Sequence, residues 1–397
     1  MFSSRLSWNF TANRLSKVLE AKQASGVQVL DLTESNPTQA GLDYPKGKIL
    51  EALSRPASLR YEPDPRGLLS ARQAIAEYYR SQGEDVKLDT IHLTASTSEG
   101  YAYLFKLLAN PGDEVLVPQP SYPLLDFLAA LESVHVARYP LKYDDESGWQ
   151  INLEALGNTI TTKTKAIILV NPNNPTGSFI KKSELAKMNE LCAEHGLALI
   201  VDEVFSDYSY GDDARRVRTL VGNRNALTFV LSGLSKICGL PQMKLGWIHV
   251  NGPENLVAET RDRLDFISDT YLSVSSPVQH AAAELLSLRH EMQHQILERI
   301  LRNEKYLRTR STELPFCRIL KQEGGWYAIL EITDDFSEED FCLMLLEEDN
   351  VFLHPGYFFD FLKQRFLVFS LLTSSAIFEE GVTRIISRFG KIYRNRS

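Results

Sequence analysis

The chain has 397 residues, a formal net charge of −8, 44% hydrophobic residues and four cysteines. That length can bury large cores and predicts two domains, and the acidic balance argues against a nucleic-acid partner. No apolar stretch reaches membrane-spanning length. Cys192, Cys238, Cys317 and Cys342 are scattered without metal-ligand spacing, so no metal site is expected and a reducing compartment is.

The first segment, with Arg5, Arg14 and Lys17 and no acid before Glu20, faintly resembles a transit peptide. It lacks the apolar core of a secretory signal, and Leu15, Val18 and Leu19 fit a helical arm better, so a cytoplasmic location is expected. Gly67 to Gly83 reads as a helix with Leu68, Ala71, Ile75, Tyr78 and Tyr79 on one stripe. A second helix begins at Ser183 and stops at Gly196. Strand-like runs lie at 90–93, 114–118, 134–139, 166–170, 197–201, 227–231 and 245–250. Their alternation with helices predicts a mainly parallel α/β sheet. A long helical pattern from about His280 to about Arg310 leads into an α+β unit with strands near 317–321, 325–330 and 366–371.

The chemistry concentrates in Ser232-Gly-Leu-Ser-Lys-Ile-Cys-Gly-Leu-Pro-Gln-Met-Lys-Leu-Gly246. A lysine packed among small and apolar residues loses ammonium hydration, so the Lys236 amine is partly neutral near pH 7 and can attack an aldehyde. Ser232, Ser235 and Lys244 offer hydroxyls and a cation for a phosphate. An aldehyde and a phosphate on one small molecule suggest pyridoxal phosphate. Upstream, Asn171-Pro-Asn-Asn-Pro-Thr-Gly177 and Ile200-Val-Asp-Glu-Val-Phe-Ser-Asp-Tyr208 each follow an apolar run. Functional groups collect at the carboxyl ends of buried parallel strands. Asp202 is therefore expected at a strand tip, where it can pair with a protonated pyridine nitrogen. Asn174 can bond the ring's phenolic oxygen.

These three segments, in this order, resemble the fold-type I pyridoxal-phosphate enzymes of the class I/II aminotransferase family, from about Leu30 to about Phe389. The resemblance implies Lys236 as the Schiff-base lysine, Asp202 as the ring-nitrogen partner and Asn174 as the ring-oxygen ligand. Within Thr94-Ala-Ser-Thr-Ser-Glu-Gly100 it implies Ser96 and Thr97 at the phosphate. It also implies Tyr122 stacked on the ring in a catalytic position, and Tyr61 lent to the phosphate by a second subunit. Three positions depart from the pattern. Phe205 stands where a tyrosine is usual, and Lys244 where an arginine is usual. Val368, in Phe366-Leu-Val-Phe-Ser-Leu-Leu372, stands where the arginine that binds the substrate carboxylate is usual. Arg365 is at an odd spacing from it and faces the other way on a regular strand, though a bulge would bring it to the same face.

The expected fold is aspartate-aminotransferase-like. It has a large α/β domain with a mainly parallel seven-stranded sheet flanked by helices, and a smaller α+β domain. The expected division is an N-terminal arm and part of the small domain over 1–45, the pyridoxal-phosphate domain over 46–284 and the small domain over 285–397. The expected activity is ping-pong transfer of an amino group between an amino acid and a 2-keto acid by a homodimer. Asn36, in the loop Glu34-Ser-Asn-Pro-Thr38, is the first candidate to bind the substrate in place of the arginine, and Trp326 and Tyr327 are expected to line the substrate side. A pyridoxal-phosphate lyase or decarboxylase is the nearer alternative, and a non-catalytic cofactor-binding regulator the more distant one.

Overall fold

The computed structural model describes residues 2–6, 8, 11–333 and 337–394. In chain order its strands are β1 Leu30–Asp31, β2 Ile91–Thr94, β3 Glu114–Gln119, β4 His135–Asp144, β5 Gly148–Ile151, β6 Thr164–Val170 and β7 Ala198–Asp202. They continue with β8 Thr228–Gly233, β9 Gly246–Asn251, β10 Cys317–Ile319, β11 Tyr327–Ile332, β12 Val351–Phe352, β13 His354–Pro355 and β14 Phe366–Ser370.

The large sheet has eight strands, not seven, in the order β2-β9-β8-β7-β6-β3-β4-β5. The additional strand, β5, pairs antiparallel with β4. Its four residues give too short a run to stand out in the sequence. The hairpin is set by Asp144, whose Oδ1 accepts the backbone N–H groups of Glu146 and Ser147. The five central strands β8, β7, β6, β3 and β4 are parallel, and β9 runs antiparallel to both β8 and β2. Alternate residues serve opposite faces. Ile167, Leu169, Leu199, Val201 and Val230 pack into one core, and Ala166, Ile168, Ala198, Ile200 and Phe229 into the other. Burial on both faces explains the continuous apolar runs.

The helix expected from Gly67 spans Leu69–Arg80, and the one expected from Ser183 spans Lys182–His195. Gly196 ends the latter in a left-handed conformation, φ 65°. The long pattern after His280 is two helices, Ser276–Ser287 and Arg289–Ser311, separated at Leu288.

The second sheet has the order β10-β11-β14-β13 and is antiparallel throughout. β1 pairs with β12 in parallel, which draws the N-terminal segment onto the C-terminal part of the chain. Leu15, Leu30, Leu32 and Ala40 accordingly share one core with Ile296, Trp326, Phe369 and Phe389. A buried ionic cluster ties the two sheets together. Lys181 Nζ lies 2.6 Å from Glu323 Oε2, and Arg216 Nε lies 3.3 Å from Glu323 Oε1. Beside it Gly177 has φ 68°, and a Cβ there would stand 2.3 Å from the Gly324 carbonyl oxygen. Only glycine fits this close approach of two backbones.

Candidate active site

The carboxyl ends of β6, β7 and β8 lie side by side, with Val170 paired to Asp202 and Asp202 to Leu231. The turn carrying Asn174, the carboxylate of Asp202 and the loop carrying Lys236 therefore leave the sheet at one edge. They meet in an open cavity of about 190 Å³ whose wall also includes Thr97, Tyr122 and Phe205.

Asp202 closes β7. Its Oδ1 accepts the Val204 N–H at 3.1 Å, and its Oδ2 accepts the Tyr101 hydroxyl at 3.4 Å. Burial pushes its carboxyl up to about 6, against the opposing pull of those two donors and of Lys236. Lys236 sits in the short helix Leu234–Ile237 that follows β8. Burial brings its ammonium down to about 8, while Asp202 and Glu34 act to raise it. Its Nζ stands 4.8 Å from the Trp326 ring centre and 5.6 Å from that of Phe205. The Tyr208 hydroxyl donates to the Lys236 carbonyl at 2.6 Å and fixes the loop from below. The amine is thus held over aromatic rings, within the field of a carboxylate and short of full protonation.

Polar atoms buried here without a protein partner include Asn174 Oδ1 and Ser121 Oγ in the cavity wall, and Ser232 Oγ and Trp326 Nε1 outside it. A buried polar atom without a partner costs free energy unless a ligand or water meets it. The helix Thr97–Leu108 opens onto the cavity, with Thr97 and Ser98 in the wall. Unpaired N–H groups and the dipole at a helix start favour an anion. Cavity, amine, carboxylate and anion site together fit the functional groups of pyridoxal phosphate.

Several expected residues stand elsewhere. Ser96 is the helix cap, its Oγ accepting the Glu99 N–H at 3.2 Å, and Ser98 takes its expected place in the cavity wall. Asn36 is exposed because its Oδ1 is engaged by the Thr38 N–H and hydroxyl, which turns Ser35 into the cavity instead. Trp326 is fully buried between Phe205 and Tyr208, and Tyr327, next on the strand, lines the cavity. Val368 is 1% exposed, a core residue of β14 paired with Ile329 and His354. Lys244 is exposed, with φ 52°, and outside the cavity wall. Ser232 is buried at the end of β8, also outside that wall. Tyr61, expected at the site of a second subunit, is 73% exposed beside a different surface pocket of its own chain, with Leu272 and Ser273. Tyr101 was missed in the sequence, although it follows Thr97 by one helical turn and so shares its face.

The sequence matches the family described as aminotransferase class I and II over residues 27–385. It is 28% identical over 379 residues to the glutamate-pyruvate aminotransferase AlaA of Haemophilus influenzae, covering 94% of this chain and 93% of that one. It is 28% identical to an alanine aminotransferase of Mycobacterium tuberculosis, over 84% of this chain and 79% of that one. Among solved structures, the alanine aminotransferase of Pyrococcus furiosus superposes with a TM-score of 0.88 at 26% identity, over 98% of this chain and all of that one. The fold recurs in the aspartate aminotransferase of Thermotoga maritima, TM-score 0.83. The chain belongs to the class I and II aminotransferase family.

Proposed function

We propose that this aminotransferase moves an amino group between an α-amino acid and a 2-keto acid, with Lys236 as the group that carries the proton. The observation that carries the reading is the half-buried amine of Lys236 held near Asp202 in one cavity, with its pKa brought down to about 8. Pyridoxal phosphate, when bound, supplies a carbonyl for an amine and a ring that accepts an electron pair. Lys236 would hold that carbonyl, Asp202 the ring nitrogen and Asn174 the ring oxygen. Thr97 and Ser98 would hold the phosphate, with Ser232 behind them, and Tyr122 would cover the ring. Phe205 stands where it can pack but not donate. Lys236 Nζ, once neutral, takes a proton from the substrate Cα and returns it on the way to product, as general base and then acid. Asp202, ionised above about pH 6, keeps a facing cation charged while this happens.

The alanine–pyruvate pair, suggested by the relatives' names, is the first to test. An amino donor should abolish the visible absorbance of the holoenzyme, and a 2-keto acid should restore it in equal amount. Release of carbon dioxide or ammonia with no keto-acid requirement would instead mark a decarboxylase or lyase.

The site is proposed to be shared between two copies of the chain. Leu59, Tyr61 and Phe266 are 93%, 73% and 78% exposed, large apolar side chains that a second copy would cover. Tyr61 does not line its own chain's cavity. If it reaches the partner's phosphate site, mixing Lys236→Ala and Tyr61→Ala homodimers creates one intact site per hybrid and activity rises above both parents. If it acts within its own chain, mixing restores nothing. A cytoplasmic location is part of the same proposal, supported by the buried thiols of Cys192, Cys238 and Cys342, which suit a reducing compartment.

A further inference from the structure

We propose that the substrate carboxylate is held without an arginine, by the hydroxyls of Ser35 and Tyr327 together with the side-chain amide of Asn174. The inference rests on the aminotransferase reading above and concerns residues that lie beyond the family's charged clamp.

The case begins with charge. Among the described residues that line the cavity, Lys236 is the only cation. The cation nearest in sequence to the missing arginine is committed elsewhere. Arg365 Nη1 lies 3.6 Å from Glu331 Oε1, outside the cavity wall. Val368 is enclosed in the strand core. A carboxylate entering here meets neutral donors.

Those donors are placed by the strand that lost the arginine. Ser370, at the end of β14, donates its hydroxyl to the Glu34 carbonyl at 2.6 Å, and its N–H goes to the Leu32 carbonyl at 2.8 Å. The loop carrying Ser35 is thereby anchored to β14. Glu34 Oε1 accepts the Asn36 N–H at 2.7 Å, and Asn36 in turn engages Thr38, so the turn points Asn36 outward and Ser35 inward. Ser370 also pairs across the sheet with Tyr327, the first residue of β11. The Tyr327 ring is braced edge-on by Phe205 at 6.4 Å and Phe359 at 6.0 Å. Its hydroxyl faces the side chains of Ser35 and Asn174. One residue of β14 thus positions both the loop donor and the strand donor at the mouth of the site. Hydrogen bonds from neutral groups to a carboxylate are weaker than a bidentate guanidinium pair but still directional.

The test uses two matched pairs on the holoenzyme and on Tyr327→Phe and Ser35→Ala. The first pair is alanine and ethylamine, which differ by the carboxylate. The expected result is that the alanine-to-ethylamine ratio of kcat/KM falls roughly tenfold or more in each variant, mainly through a higher KM for alanine. The second pair is propanoate and propanamide, which do not react, with binding measured by calorimetry. Propanoate should bind each variant several-fold more weakly, with the propanamide affinity changing less. Equal propanoate affinity in all three proteins, with unaltered thermal midpoints, overturns the proposal. So does a ratio that is unmoved in these variants and collapses in Arg365→Ala. If propanoate binding responds as expected but no keto acid supports turnover, the carboxylate site stands and the aminotransferase reading fails.

Discussion

Lys236→Ala should lower turnover by about 10⁴-fold, the upper end of what a positioned general acid–base supplies, since the nucleophile proposed to hold the cofactor carbonyl goes with it. The fold should survive. Burial already holds the ammonium of Lys236 down to about 8, so the folded protein bears a desolvation cost that alanine removes. The variant's thermal midpoint at pH 7 should equal or exceed that of the parent. The same depressed value predicts a pH dependence in the parent. Below about 8 the amine is mostly protonated and cannot attack. The rate at which cofactor-free protein captures pyridoxal phosphate should therefore climb as pH rises from 7 and level off above about 8.5. A capture rate that is flat or falling over that range would show that another group limits it.

Asp202→Asn should cost roughly 10²–10³-fold in turnover, comparable to the loss of one preorganised electrostatic group. Asparagine keeps the shape, and its single oxygen can still accept the Val204 N–H while its NH2 group takes the place of the oxygen that accepts the Tyr101 hydroxyl and can donate to that hydroxyl instead. It loses the charge that would face the ring nitrogen, and one acceptor oxygen. Stability should move the other way. The folded carboxyl is raised from 3.8 to about 6 by burial, so the native state loses stability relative to the unfolded chain as pH rises through that interval. Neutral asparagine escapes this, and the variant should be as stable as the parent or more so at pH 7.5. Loss of activity with equal or greater stability would separate a functional carboxylate from a structural one. Unimpaired turnover would remove Asp202 from the mechanism.

The parts of the site that the sequence revealed are those whose position follows from strand order. Asn174, Asp202 and Lys236 come after apolar runs that form adjacent parallel strands, so they share one edge whatever the details of packing. What stayed hidden depended on a single residue's register. Trp326 and Tyr327 are neighbours, and which of them faces the cavity is decided by the pairing of β11 with β14. Ser35 and Asn36 differ only in which one the turn hydrogen bonds use. Ser96 and Ser98 flank a helix start, and the cap takes the first. β5 escaped notice because four residues carry little periodicity. Val368 illustrates a different case. Its sequence position shows that an arginine is missing, but one of the donors proposed to replace it, Ser35, comes from a loop more than 300 residues away, joined to the strand by Ser370.

The central claim is that Lys236 carries the cofactor. It is tested most directly by reducing the holoenzyme with borohydride, digesting it and mapping the modified peptide. The account predicts one pyridoxyl group per chain, on Lys236, and none in Lys236→Ala treated in the same way. A stoichiometric adduct on any other lysine would contradict it.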